Sequence, residues 1–292
     1  MFSVPKNITR WALISLSVNT LFLIVLGGVL GGVPKSSGQN ETFVFLREQK
    51  QNLSDVVDRP EAKVIRPGFQ GIDLLNLARQ HKWTYEQWVA QLEEEAIATV
   101  EAKPQRLTVL LGDSLSLWFP VTLLPTNRNW LNQGISGETT RGLFRRLDIL
   151  ERTRPETIFL MIGINDLLRG IDDFTLLDNY ENIVKDLRLV HPHSQIVVQS
   201  ILPHGGEKAT WEGKKRLLKI SQARIQELNQ QLRAIAQKQG AFYLNLHPLF
   251  TDQQGELRSE LSTDGLHLND QGYMVWRTAI ELYSQVKLNQ PD

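Results

Sequence analysis

Four short blocks in the C-terminal two-thirds of the chain hold residue types that can break an acyl bond. Gly112-Asp113-Ser114-Leu115 ends an apolar run, so Ser114 can present its hydroxyl at a strand-to-helix turn, with its own N–H free at the helix start. A hydroxyl is a poor nucleophile until a base takes its proton. Asp264-Gly265-Leu266-His267 offers an imidazole that titrates near neutral pH, with a carboxylate three residues earlier to fix its tautomer and stabilise the imidazolium. Gly163-Ile164-Asn165-Asp166 places a carboxamide N–H that can donate to a developing oxyanion. In Asn132-Gln133-Gly134-Ile135-Ser136-Gly137, Gly134 either brings a bare N–H close to a bound acyl group or relieves a tight bend. Singly, each block is ordinary turn chemistry. Asp113 and Asp166 are expected to brace their turns. His204 and His247, each following an apolar run, are expected at the pocket rim or behind the site, and His191 at the surface.

Composition narrows the routes. The chain has no cysteine, which removes thiol nucleophiles, disulfides and cysteine-ligated metal sites. Lys plus Arg and Asp plus Glu both number 32 among 292 residues, a balance that argues against a strongly basic nucleic-acid binder. Hydrophobic residues at 41% permit a packed core.

The elements that must position the blocks are legible as a repeating pattern from Leu107 onward. Residues 107–111, 157–162, 195–200 and 241–246 are continuous apolar or β-rich runs, as expected of strands buried on both faces. Helical spacing recurs between them: Leu143, Leu147 and Leu150; then Leu177, Tyr180, Val184 and Leu187; then Ile225, Leu228, Leu232 and Ile235; and finally Trp276, Ala279, Tyr283 and Val286. Alternating strands and helices imply an α/β fold with a mostly parallel sheet, whose ligands bind beyond the carboxyl ends of the strands. The blocks at 112–115 and 163–166 lie at such ends.

Together, and in this order, the blocks GDSL, NQGISG, GIND and DGLH resemble those of the SGNH hydrolases, the GDSL-type esterases and lipases. The resemblance covers roughly residues 105–290. It implies a three-layer α/β/α, flavodoxin-like domain with a five-stranded sheet. It also implies Ser114 as nucleophile, His267 as base, Asp264 as its orienter, and an oxyanion hole made by the N–H groups of Ser114 and Gly134 with the side chain of Asn165. The expected activity is hydrolysis of a carboxylic ester, from a lipid or an acetylated glycan, with no metal or organic cofactor. An O-acyltransferase acting on cell-envelope glycans would use the same residues, and a non-catalytic lipid- or glycan-binding module is a third alternative. Oligomeric state is not legible in the sequence.

The region before this domain reads differently. Trp11 to Val33 carries no charge and is long enough to cross a hydrocarbon core. Lys6 and Arg10 before it place the N-terminus in the cytoplasm and the rest of the chain outside. The expectation is a single-pass membrane anchor over 1–33, with a cleaved signal peptide and secretion as the alternative. Residues 34–104 read as a stem. Within it, Thr84 and Gln87 have capping-box spacing, ahead of a helix near 84–101 closed by Pro104. Glu93, Glu94, Glu95 and Glu101 are expected on its solvated face. Lys208, Lys214, Lys215, Arg216 and Lys219 beside Trp211 form a cationic stretch that either is solvated or faces anionic headgroups or an acidic polysaccharide.

Overall fold

Strands buried on both faces need apolar side chains at every position, and the runs with that character form the centre of the sheet. The computed structural model describes residues 63–64 and 83–288. In chain order the strands are β1 (Lys63–Val64), β2 (Leu107–Gly112), β3 (Asn129–Gly134), β4 (Thr157–Met161), β5 (Gln195–Gln199) and β6 (Phe242–Leu244). They lie side by side as β1-β3-β2-β4-β5-β6, with every pairing parallel. The five-stranded sheet implied by the family resemblance is therefore present, with β3 lying outside the four apolar runs and the two-residue β1 added at its edge. That strand comes from the segment read as stem.

The helices are α1 (Tyr85–Ala102), α2 (Ser114–Leu117), α3 (Thr140–Phe144), α4 (Ile164–Leu168), α5 (Asp173–Val190), α6 (Lys214–Leu217), α7 (Gln222–Lys238), α8 (His247–Phe250) and α9 (Asp270–Tyr283). The capping box at Thr84 and Gln87 forms in full at the start of α1. One helix expected over Leu143–Leu150 divides into α3 and a separate 3₁₀ turn at Leu147–Leu150. Glu95, expected to be solvated, is buried together with Leu92, Ala96 and Thr99 on one face of α1.

Alternate strand residues feed two layers, as the pleat requires. Val109, Leu111, Ile158, Leu160, Ile196 and Val198 join one buried cluster with Tyr180 and Val184 of α5 and Ile225, Leu228 and Leu232 of α7. Phe159 and Gln199 point the other way. There Phe159 stacks on Trp130, and Gln199 Oε1 accepts from Trp276 Nε1 at 2.7 Å. Phe119 packs on both Tyr273 and Trp276 of α9. Among the described residues no helix is long and apolar enough to cross a membrane. The expected anchor at 1–33 lies outside those residues.

The sheet order sets where chemistry can occur. From β2 the chain moves to β3 on one side and then to β4 on the other. The carboxyl end of β2 is thus a topological switch point, with an open crevice beyond it. Beyond β5 the exit is clamped: Asn229 of α7 accepts from Ile201 N at 2.7 Å and donates to Ile201 O at 2.9 Å. Asn229→Ala leaves both buried backbone groups unpaired, at a cost of about 2–4 kcal/mol. Urea unfolding should show this as a lower midpoint at an unchanged slope.

Candidate active site

The turn that carries Ser114 is built on a close approach of backbones. Helix α2 begins directly after β2, with Asp113 as its N-cap, and Asp113 Oδ1 accepts from Leu115 N at 3.0 Å. Ser114 is therefore the first helical residue and is 6% exposed. The short helix rests on the end of β3, where a Cβ on Gly134 would collide with the backbone of Leu117 and lie 2.8 Å from Asp113 O. Gly134 N donates to Asn132 Oδ1 at 3.0 Å, and Asn132 Nδ2 donates to Ser116 O at 2.7 Å. Gly134 thus permits close packing of α2 on β3, and its N–H is bonded to Asn132.

Three residues on, Gly137 has a positive φ of 75° and is partly exposed. Its carbonyl accepts from Arg169 Nη2 at 2.6 Å. Arg169 ends α4, the helix that carries Asn165. Sequence reasoning passed over Gly137, although it is the second glycine of the same block. Asn165 is the second residue of α4, and its Nδ2 is buried without a hydrogen-bond partner. Buried amide donors are rarely left unused. This one is a donor in reserve beside the β4 exit.

The DGLH turn is rigid and tied to its surroundings. Asp264 Oδ1 accepts from Leu266 N at 2.9 Å and His267 N at 2.8 Å, while Oδ2 meets His267 Nδ1 at 2.8 Å. With Nδ1 holding its proton against the carboxylate, Nε2 is left as the basic atom. Burial raises the Asp264 pKa, but the bonds from His267 and Leu266 outweigh it and hold the carboxyl below its usual range. Thr210 N and Trp211 N donate to Asp264 O at 2.8 and 2.9 Å, and Gly205 N to Gly265 O at 2.7 Å. Two contacts join this turn and the helix that follows it to α2. Trp118, whose N–H bonds Ser114 O at 3.0 Å, packs its ring 4.3 Å from that of His267. Tyr273 of α9 donates to Leu115 O at 3.0 Å. An open cleft of about 710 Å³, lined by Trp118, Pro120, His267, Leu268 and Tyr273 among others, lies beside the imidazole.

The remaining polar residues hold positions. Asp166 accepts from Thr140 N at 2.9 Å and Thr140 Oγ1 at 2.5 Å; burial raises its pKa against those bonds. Asp113, fully buried, is pushed up to about 7 by loss of solvent, and the charges of Glu138 and Asp166 add to that rise. His204 and His247 are not on a rim. His204 is buried between Ile220 O (2.7 Å) and Gly206 N (3.1 Å). His247 sits beside Thr251, and burial pushes its pKa down to about 4. His191, expected at the surface, is also buried. In the cationic stretch Lys208 pairs with Asp252 and Glu256, Lys214 pairs with Glu207, and Arg216 lies over Trp211.

Comparison with known proteins places the chain by family and by fold. The model of the GDSL-like Lipase/Acylhydrolase family matches residues 110–275. No curated protein matches by sequence. Among solved structures, a Streptococcus pneumoniae protein named for platelet activating factor is 24% identical. It covers 73% of this chain and 99% of its own length at a TM-score of 0.61. A GDSL-like lipase from Bacteroides thetaiotaomicron is 18% identical, covering 68% of this chain and 98% of its own, at 0.54. A variant of a Geobacillus acetyl-xylooligosaccharide esterase is 15% identical, covering 65% and 99%, at 0.50. At these identities the solved structures share the fold.

The buried Asp113 carboxyl makes a pH dependence testable. Its raised pKa means that the folded chain binds the proton more tightly than the unfolded chain. That contribution is complete below an unfolded value of about 4 and is lost as pH rises through about 7. Asp113→Asn keeps the cap acceptor and cannot ionise. Urea midpoints for wild type and Asp113→Asn should therefore separate with rising pH, wild type falling behind. A constant difference at every pH would contradict the shift.

Proposed function

Because the chain belongs to the GDSL-like lipase/acylhydrolase family and is an ester-hydrolysing enzyme, we propose that it works through an acyl-enzyme on Ser114. His267 Nε2 takes the hydroxyl proton as Oγ attacks the ester carbonyl, and later gives it to the leaving alcohol. Asp264 orients the imidazole and stabilises its cation. Water, activated by the same imidazole, then releases the acid and restores the serine. The observation that carries this reading is the Asp264–His267 pair, bonded at 2.8 Å and packed through Trp118 on the helix that begins at Ser114.

The oxyanion forms over donors that are already in place. Ser114 N–H at the start of α2 and the unpaired Asn165 Nδ2 are two of them. We assign the third to the N–H of Gly137 rather than Gly134, since the Gly134 N–H is engaged by Asn132. Fixed donors stabilise charge without reorganising during the reaction, which is why such holes dominate many acyl-transfer rates. We propose small acyl esters as substrates, acetylated sugars first. The support is the open cleft beside His267 and the shared fold of an acetyl-xylooligosaccharide esterase. The chain is further proposed to be tethered by Trp11–Val33 with its catalytic domain outside the cytoplasm. Carbonate-washed membranes should retain the full chain, and recovery in the wash would argue against a tether.

A fluorophosphonate probe should label wild type at Ser114, and Ser114→Ala should lose both labelling and hydrolysis of nitrophenyl acetate. Asp264→Asn should keep the fold while kcat falls by up to about 10⁴-fold. Asn165→Ala should cost about 10²–10³-fold in kcat. Wild-type turnover in Ser114→Ala would end the acyl-enzyme reading.

A further inference from the structure

The acyl-enzyme reading makes no use of the helix that precedes the matched family region, yet α1 is bonded into the loop next to the nucleophile. The Tyr85 hydroxyl lies 2.8 Å from Glu138 Oε1, with the Gly142 carbonyl at 3.2 Å as a second acceptor. Glu138 directly follows Gly137, and its side chain is fully enclosed. Its other oxygen accepts from both Nε (2.8 Å) and Nη2 of Arg146. Arg146 Nη2 also donates to Gln133 O at 2.8 Å. Gln133 Nε2 then returns to α1, donating to Leu92 O at 3.1 Å.

These bonds close a circuit. It leaves α1 at Tyr85, passes through Glu138, Arg146 and Gln133, and re-enters α1 at Leu92. Gln133 and Glu138 bracket the stretch from Gly134 to Gly137. Gly142 shows how tightly the carboxylate is held, since a Cβ there would lie 2.9 Å from Glu138 Oε1. Burial, with the Glu138 charge adding to it, pushes the Tyr85 hydroxyl up to about 12. It therefore stays a donor at any pH at which the imidazole acts. From the far side, Arg169 fixes the Gly137 carbonyl.

We propose that Tyr85 is a positioning residue for the oxyanion loop, acting through Glu138 to set the Gly137 peptide. The proposal rests on the acyl-enzyme reading above. A carboxylate with one of its bonds removed can turn within its pocket, and the loop attached to it then samples other orientations. The transition state loses part of a donor, whereas ground-state binding of an uncharged ester changes little. The working catalytic site thus extends beyond residues 110–275 to a tyrosine on the preceding helix.

The test compares full-length wild type, Tyr85→Phe, Glu138→Gln and the double variant. Active sites are counted by the end-point of fluorophosphonate labelling, and nitrophenyl acetate hydrolysis is expressed per labelled site. Tyr85→Phe should lower kcat per site about 3–10-fold, the worth of one hydrogen bond, with KM unchanged. Glu138→Gln should lower it at least as far. Because Tyr85 acts through Glu138, the double variant should be no slower than Glu138→Gln alone. If Tyr85→Phe only reduces the number of labelled sites and leaves kcat per site at the wild-type value, the proposal fails. It fails equally if the two losses multiply in the double variant. Absence of labelling on wild-type Ser114 would instead overturn the acyl-enzyme reading itself, a result separable from the other two.

Discussion

The turn that carries Ser114 depends on one steric allowance, the missing Cβ of Gly134. Helix α2 sits on the end of β3 at a distance that no side chain would tolerate. Without that contact Ser114 would not lie at the head of a helix over the switch point of the sheet. The same contact fixes Asn132, which spans the two elements by bonding Gly134 N and Ser116 O. The rest follows outward. Trp118 continues from α2 to meet His267, and Tyr273 reaches back to Leu115. A turn more than a hundred residues distant in sequence is thereby tied to the helix that begins at Ser114.

Beneath this turn the protein uses buried charge where an apolar core would be simpler. Glu138 and Arg146 form an enclosed ion pair, and Asp113 and Asp166 are both buried. Such pairs give little net stability, because desolvation consumes most of the attraction. What they supply is direction. Each carboxylate here is bonded to a backbone N–H or to an arginine that spans two loops, so each fixes an orientation that apolar contacts would leave loose. Loops at strand ends carry chemistry only when their angles are set, and hydrogen bonds are directional where dispersion is not.

Much of this was legible in the sequence, and the misses share a cause. The strands at 107–112, 157–161 and 195–199 are apolar because both faces are buried, and they could be read directly. β3 could not be read that way. Asn132 and Gln133 are polar by type yet buried by position, satisfied by Ser116 O and Leu92 O, and hydropathy has no means of seeing such partners. The bond from Gly134 N to Asn132 Oδ1 is equally invisible to it. Asp264 and His267 were found because their pairing is local, three residues apart, whereas the circuit from Tyr85 to Glu138 spans 53 residues. His204 and His247 followed strand ends as expected, but they turn inward to bond the backbone and Thr251. Position along a chain does not tell which way an imidazole points.

The two-residue strand β1 has a consequence for where this protein begins as a folding unit. β1 pairs with Asn129 and Trp130 of β3 and so covers part of what would otherwise be the outer margin of a parallel sheet. Uncovered margins offer rows of backbone donors and acceptors to any passing chain, and proteins commonly blunt them with short strands. The boundary drawn by family likeness falls after both β1 and α1. A fragment cut there would keep every residue of the reactive turns and lose both the cap on its sheet and the helix that braces β3. The cap on the sheet margin and the brace on β3 therefore lie outside the stretch that the family model matches, although both belong to the same sheet.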